Sequence, residues 1–146
     1  MSRLTFMPFL LLLSSGCLAD EVRPVAVTIN PIIVDGAAIA PGGAVAQIQG
    51  LKKGGDGFVS VRDAPSTKGR ETDRLTEGTF LIRTFAEGAE AGTKFVGVVY
   101  DRDVNSDRSM LERCAIPEAP PYSSGAYKGP CKSGWMAARF VRVLAD

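Results

Sequence analysis

An all-β domain is the fold class that this sequence predicts, on three observations. Short β-prone runs recur at intervals typical of small barrels and sandwiches, turn residues separate them, and long amphipathic helical patterns are absent. The runs are 44–48, 58–62, 80–85, 95–100, 134–137 and 140–144. Within 58–62, Val59 and Val61 alternate with Ser60 and Arg62, the pattern of a half-buried strand. The preceding Gly54-Gly55-Asp56-Gly57 reads as a turn, because glycine tolerates positive φ and Asp bonds its own backbone. Pro65 ends ladder pairing after Arg62 and sends the chain into a polar loop, 63–74, while Gly78 suits a tight turn before Phe80.

The first 19 residues have the three-part pattern of a secretory leader: Arg3, an apolar run from Leu4 to Leu13, then small residues. The run is too short to span a bilayer as a helix. Two processing sites compete. Cutting after Ala19 is favoured, since Cys17-Leu18-Ala19 offers small residues where a signal peptidase reads. Lipidation at Cys17 is the competing reading, weakened by Ser14 where a lipoprotein box usually has Leu. Both place the protein outside the cytoplasm, as a periplasmic or secreted chain or as an envelope lipoprotein.

Residues 20–43 form an N-terminal extension in which Pro24, Pro31 and Pro41 exclude a helix. Its apolar runs, Val25 to Ile29 and Ile32 to Val34, fit one or two edge strands or an extended leader packed on the domain, and both readings stand. Residues 44–146 are of a size to form one domain with its own core.

Charge narrows the partners. Without Arg3 the chain carries 16 Lys and Arg against 16 Asp and Glu, so it has no cationic surplus with which to displace counterions from phosphates, and nucleic acid is not an expected partner. Outside the cytoplasm the two remaining cysteines, Cys114 and Cys131, are expected to pair, with two free buried thiols as the weaker alternative.

The stretch Phe58-Val59-Ser60-Val61-Arg62-Asp63-Ala64-Pro65-Ser66-Thr67, followed by Leu75-Thr76-Glu77-Gly78-Thr79, resembles the opening of bacterial SH3-like (SH3b) domains. Val98-Val99-Tyr100 is similar to their third strand, and Gly134-Trp135-Met136 with Phe140-Val141 to their closing pair. Cys114 and the run from Tyr127 to Trp135 are similar to a cysteine-bearing subgroup found among exported proteins of Gram-negative bacteria. Ala64, Asp63 and Phe95 depart from the usual Gly, Ser or Asn, and Trp. The resemblance implies a small SH3-like barrel of five to six strands behind the N-terminal extension. It also implies a non-catalytic binding module of the periplasm or cell envelope, with peptidoglycan peptides or an extended protein segment as ligand. The alternative is a structural component of an envelope complex with no small ligand.

Candidate site residues follow from both lines. Arg62, at a motif position, has the fork geometry that suits a carboxylate, although pairing with a nearby acid is the commoner role. Tyr100, Tyr122, Tyr127 and Trp135 are candidates to line a peptide groove, with Trp135 equally suited to the core. Catalysis is not expected, because the chain has no histidine and Ser66-Thr67-Lys68 places its lysine in a solvated loop. Asp101, Asp103, Asn105, Asp107, Ser109 and Glu112 fall at the ligand positions of a calcium loop. Ser106 at the sharp-turn position, Arg108 and the lack of flanking amphipathic helices favour a plain polar insertion, so no metal or cofactor is expected.

Overall fold

The computed structural model describes residues 22–85 and 93–144. The segment read as a secretory leader, with Cys17, lies outside them. The described chain is all-β, and its strands run in the order β1 (Thr28–Ile29), β2 (Ile32–Val34), β3 (Ala37–Ala40), β4 (Gly43–Ile48), β5 (Phe58–Arg62), β6 (Glu71–Thr76), β7 (Phe80–Thr84) and β8 (Phe95–Tyr100). A single helical turn, α1 (Met110–Arg113), precedes β9 (Gly125–Ala126) and β10 (Lys132–Ala137). A 3-10 turn, Ala138–Phe140, leads into β11 (Val141–Val143).

Seven strands form one antiparallel sheet in the order β11-β4-β7-β8-β10-β5-β6. Its two end strands are not bonded to each other, so the sheet is not closed into the expected barrel, and it holds seven strands where five or six were expected. The additional strand is β6, part of which falls in the stretch read as a polar loop. Glu71, Thr72, Arg74 and Thr76 are exposed and only Leu75 is buried, so β6 has the charged, one-sided character of an edge strand. Of the predicted runs, 58–62 and 95–100 coincide with β5 and β8, and the other four differ from their strands by one or two residues at one or both ends. The turn read at Gly54-Gly55-Asp56-Gly57 begins two residues earlier, with the Gly55 N–H donating to the Lys52 carbonyl at 3.0 Å and with Gly54 and Gly57 at positive φ.

The sheet is buried on both faces at its centre. Register aligns Ala46 with Leu81, Val98 with Gly134, and Val96 with Met136, and all of these but Gly134 join Val59, Val61 and Leu75 in one apolar cluster. The neighbouring residues Ile82 and Val99 face the other way, pair with each other, and are equally buried. This explains why β8 reads as a continuous apolar run instead of an alternating one. Three segments cover the second face. Met110 of α1 is buried as the turn packs on β4 and β7. Ile116 is buried just beyond it, and Val27 and Ile29 of the N-terminal extension join the core cluster. Val27 sits over Gly97, where a Cβ would meet its Cγ1 at 2.9 Å.

The sequence left residues 20–43 open between strands and a packed leader, and both descriptions hold in part. Residues 25–29 run extended across the sheet. The Val25 N–H donates to Asp63 O (2.8 Å), the Tyr127 N–H donates to Val27 O (2.8 Å), and β1 pairs with β9. β2 and β3 instead form a separate hairpin that projects from the body, held through an Asp35-Gly36 turn with both residues at positive φ.

Candidate functional site

β5 supplies the floor of an open groove of about 400 Å³. Period-2 alternation puts Phe58, Ser60 and Arg62 on the face opposite Val59 and Val61. Phe95 opens β8 across from Ala137 at the end of β10, and the 3-10 turn then brings up Arg139 and Phe140. Leu51 and Lys52 close one end. Their loop is pinned by Glu77, whose carboxylate accepts the N–H groups of Gly50 (3.0 Å) and Leu51 (2.8 Å). The groove therefore combines three phenylalanine rings with Lys52, Arg62 and Arg139 against one carboxylate, Asp56. Arg139 lies over the Phe140 ring at 4.6 Å, and Arg74 covers the Phe58 ring at 4.2 Å from outside the groove lining.

Arg62 is half-buried and donates from Nη1 to Gly69 O at 2.8 Å, its one side-chain hydrogen bond among the described residues, which holds the 63–70 loop against the groove. Glu71, below the ordinary carboxylate range, accepts the Ser60 hydroxyl and the Arg74 Nε–H, with the positive charges of Arg74 and Arg62 adding to the effect. Ser66 is a turn former: its Oγ accepts the Lys68 N–H at 3.1 Å.

The other predicted site residues lie elsewhere. Tyr100 does not line a groove. It is 2% exposed inside the sheet core, and its hydroxyl donates to Asp73 Oδ2 at 2.9 Å, so burial and the adjacent carboxylate push its ionisation well above the ordinary tyrosine range. Trp135 lies directly across from Arg62 in the β5–β10 register, but its Nε1–H donates to Val25 O at 2.7 Å, so the ring is taken up in seating the N-terminal segment. Tyr127 braces the disulfide. Its hydroxyl donates to Cys114 O (2.9 Å) and accepts the Cys131 N–H (3.1 Å), and burial raises its ionisation. Tyr122 is half-buried and donates to Ile39 O in the hairpin at 3.3 Å. The disulfide itself joins Cys114 and Cys131 as expected.

The 101–112 loop is organised around an internal cation. Arg113 donates from Nε to Asp101 Oδ2 (3.2 Å), from Nη2 to Ser106 O (2.8 Å), and from Nη1 to Arg108 O. Asp101 Oδ1 accepts the Asp103 and Val104 N–H groups, which hold its carboxyl below the ordinary range, and the Arg113 guanidinium adds to this. Asn105 Oδ1 is turned away to accept the Phe80 N–H at 2.8 Å. Asp101, Asp103, Asn105, Asp107 and Glu112 thus do not converge, and among the described residues no group of three acidic, cysteine or histidine side chains is placed to hold a metal ion.

Asp73 gathers several donors and cations around one carboxylate. Its carboxylate is largely shielded, yet its pKa is lowered, because the Arg74 N–H, the Tyr100 hydroxyl, Arg102 (3.1 Å) and Lys132 (3.7 Å) together outweigh the cost of desolvation. A folded-state pKa below the unfolded one adds stability that is fully present above the ordinary Asp value and lost as pH falls through the folded value. Urea midpoints measured from about pH 6 down to about pH 2 are expected to show wild type converging on Asp73→Asn as pH falls. A constant gap between the two curves would refute this.

No family model, curated protein or solved structure matches the chain. Among the described residues no helix is long and apolar enough to cross a membrane.

Sequence reasoning missed Phe58, Phe95 and Phe140 as groove residues. They come from three separate segments, and only their convergence makes them a site. Phe95 alone carried a signal, as the aromatic that departs from the usual tryptophan.

Proposed function

We propose that the chain is a non-catalytic binding module of the periplasm or cell envelope, of the bacterial SH3-like class. The groove between β5, the start of β8 and the Ala138–Phe140 turn takes an extended peptide bearing a carboxylate, either a peptidoglycan stem peptide or a segment of an envelope protein. The single observation behind this reading is the pairing of three aromatic faces with Lys52, Arg62 and Arg139 in one groove. Rings hold an extended chain without demanding one sequence, and the cations select its negative group. The absence of histidine and the tying of both cysteines into a disulfide support a role without chemistry. The order of the SH3-like motifs supports the class.

Export rests on the leader pattern, and a disulfide fits an oxidising compartment. Cys17 remains the residue for a lipid anchor should processing follow the lipoprotein route.

Titration of the processed protein with muropeptides, alongside pulldown on purified sacculi, tests the reading. Saturable binding is expected, weakened about tenfold or more by Arg62→Ala, since a hydrogen bond to a charged group contributes about 1.5–3 kcal/mol. Absence of saturable binding to muropeptides and to envelope protein segments would remove the ligand-binding role. Turnover of cell-wall substrate would remove the non-catalytic one. A structural role in an envelope complex is the second reading, favoured by the exposed apolar hairpin of β2 and β3.

A further inference from the structure

The ladder of the large sheet is uneven beside the groove. β10 pairs with β8 along its whole length, from Lys132–Tyr100 to Ala137–Phe95, but it meets β5 at Trp135–Arg62 alone. β5 is otherwise bonded to β6. Past the Trp135–Arg62 pair no ladder joins β5 to β10, and the groove opens there, with Phe58 and Ser60 on one side and Ala137, Arg139 and Phe140 on the other. Directly paired residues project to the same face, so Arg62, Trp135 and Gly97 form one row across β5, β10 and β8 on the groove face. The N-terminal segment crosses that row. Val25 donates its N–H to Asp63 O, just beyond β5 (2.8 Å), and its carbonyl accepts the Trp135 indole N–H from β10 (2.7 Å). The two backbone groups of one residue thus bridge the two strands, while the Val25 side chain is 46% exposed. Val27 then sits over Gly97 of β8. Asp63 also ties the base of the loop that holds Arg62: its N–H donates to Arg70 O (3.0 Å) and its carboxylate accepts the Arg70 N–H (2.8 Å).

We propose that the Val25 backbone is a clasp at the closed end of the groove, and that Trp135 is a positioning residue for the groove through it. Together they fix how far β5 stands from the Ala137–Phe140 side, and so hold Arg62 and the three phenylalanine rings at the separation a bound peptide needs. The inference rests on the peptide-binding reading of the groove. Its physical basis is pre-organisation: a groove set to width before the ligand arrives spares binding the cost of ordering two loosely joined walls. Where a ladder of several hydrogen bonds joins two strands, one more bridge changes little. At a seam with a single register pair, a bridge beside that pair governs the angle at which the strands part. The clasp has two halves in series, one hydrogen bond to each strand, so losing either half undoes the bridge and the effects of losing both are not additive.

Two substitutions cut the clasp at opposite ends. Trp135→Phe removes the indole N–H and keeps an aromatic ring, and Val25→Pro removes the N–H that meets Asp63 O without disturbing a buried side chain. In calorimetric titration with a soluble disaccharide–tetrapeptide muropeptide, each is expected to bind about two- to tenfold more weakly than wild type, the worth of one hydrogen bond. The double variant is expected to bind no more weakly than the weaker single one. Met110→Ala leaves a cavity where α1 packs on β4 and β7, away from the groove, and is expected to lower the melting temperature with the affinity unchanged, which separates lost positioning from lost stability. Amide hydrogen exchange without ligand gives an independent readout: residues 58–62 are expected to lose protection in both single variants while β4 and β7 keep theirs. Unchanged affinity in either single variant, additive losses in the double, an equal loss in Met110→Ala, or unaltered protection of residues 58–62 would each overturn the clasp. If wild type does not bind the muropeptide, it is the ligand assignment that fails, and the exchange measurement still decides whether Val25 and Trp135 hold the two sides together.

Discussion

Val27→Asp is expected to lower the unfolding free energy by about 3–5 kcal/mol, the cost of leaving a charge buried and uncompensated. Val27 is 3% exposed over Gly97, in a layer with Ile29, Ile82 and Val99, and no cation faces it among the contacts that seat the segment. The size of the effect matters because the residue lies outside the span, 44–146, that the sequence predicts to form a domain with its own core. If the domain were self-sufficient from residue 44, the substitution would cost only the detachment of a dispensable strap. Urea denaturation followed by Trp135 fluorescence is the direct measurement, since the indole N–H bonds Val25 O and reports the strap as well as the sheet. A loss under about 1 kcal/mol, the usual range for a surface change, would show that residues 25–29 do not belong to the cooperative core.

Removing the crosslink with Cys114→Ser and Cys131→Ser together is expected to cost about 3 kcal/mol, the value for a closed loop of this size in the chain-entropy account. The two cysteines are 17 residues apart, and the segment between them has little regular structure beyond the two residues of β9. That short strand pairs with β1, and Tyr127 ties both ends of the disulfide to one hydroxyl. Loosening the loop should therefore loosen the N-terminal segment too. Hydrogen exchange offers a second readout: the amides of Ile29 and Tyr127 are expected to lose protection in the double variant before those of β7 and β8. Unchanged stability together with unchanged protection would mean that packing alone holds the loop.

These two results bear on how much could be read from residue order. The alternation of Val59 and Val61, the apolar residues Leu75 and Val98, and the strand after Gly134 were enough to place one apolar centre, and Val61, Leu75, Val98 and Met136 do share it. The disulfide was legible too, because reading the first 19 residues as an export leader leaves a single cysteine pair. Tyr100 was read as a groove residue because a tyrosine ending an apolar run looks amphipathic, whereas it follows Val96 and Val98 onto the same buried face and spends its hydroxyl on Asp73. β6 was partly hidden because an edge strand with a single buried residue has the composition of a loop.

What residue order determined is the local and the covalent: β-class from alternation and turn punctuation, the cysteine pairing, a formal net charge of only +1, and the absence of the commonest acid–base side chain. The tertiary structure decided what depends on convergence between distant segments. It left the sheet open, laid Val27 and Ile29 across its second face, filled the acidic loop with Arg113 in place of a shared cation site, and gathered Phe58, Phe95 and Phe140 beside three cations. The reason is physical: hydrophobic period and turn chemistry act over a few neighbours, whereas burial of a second face and assembly of a groove are set by which remote segments cover which surface.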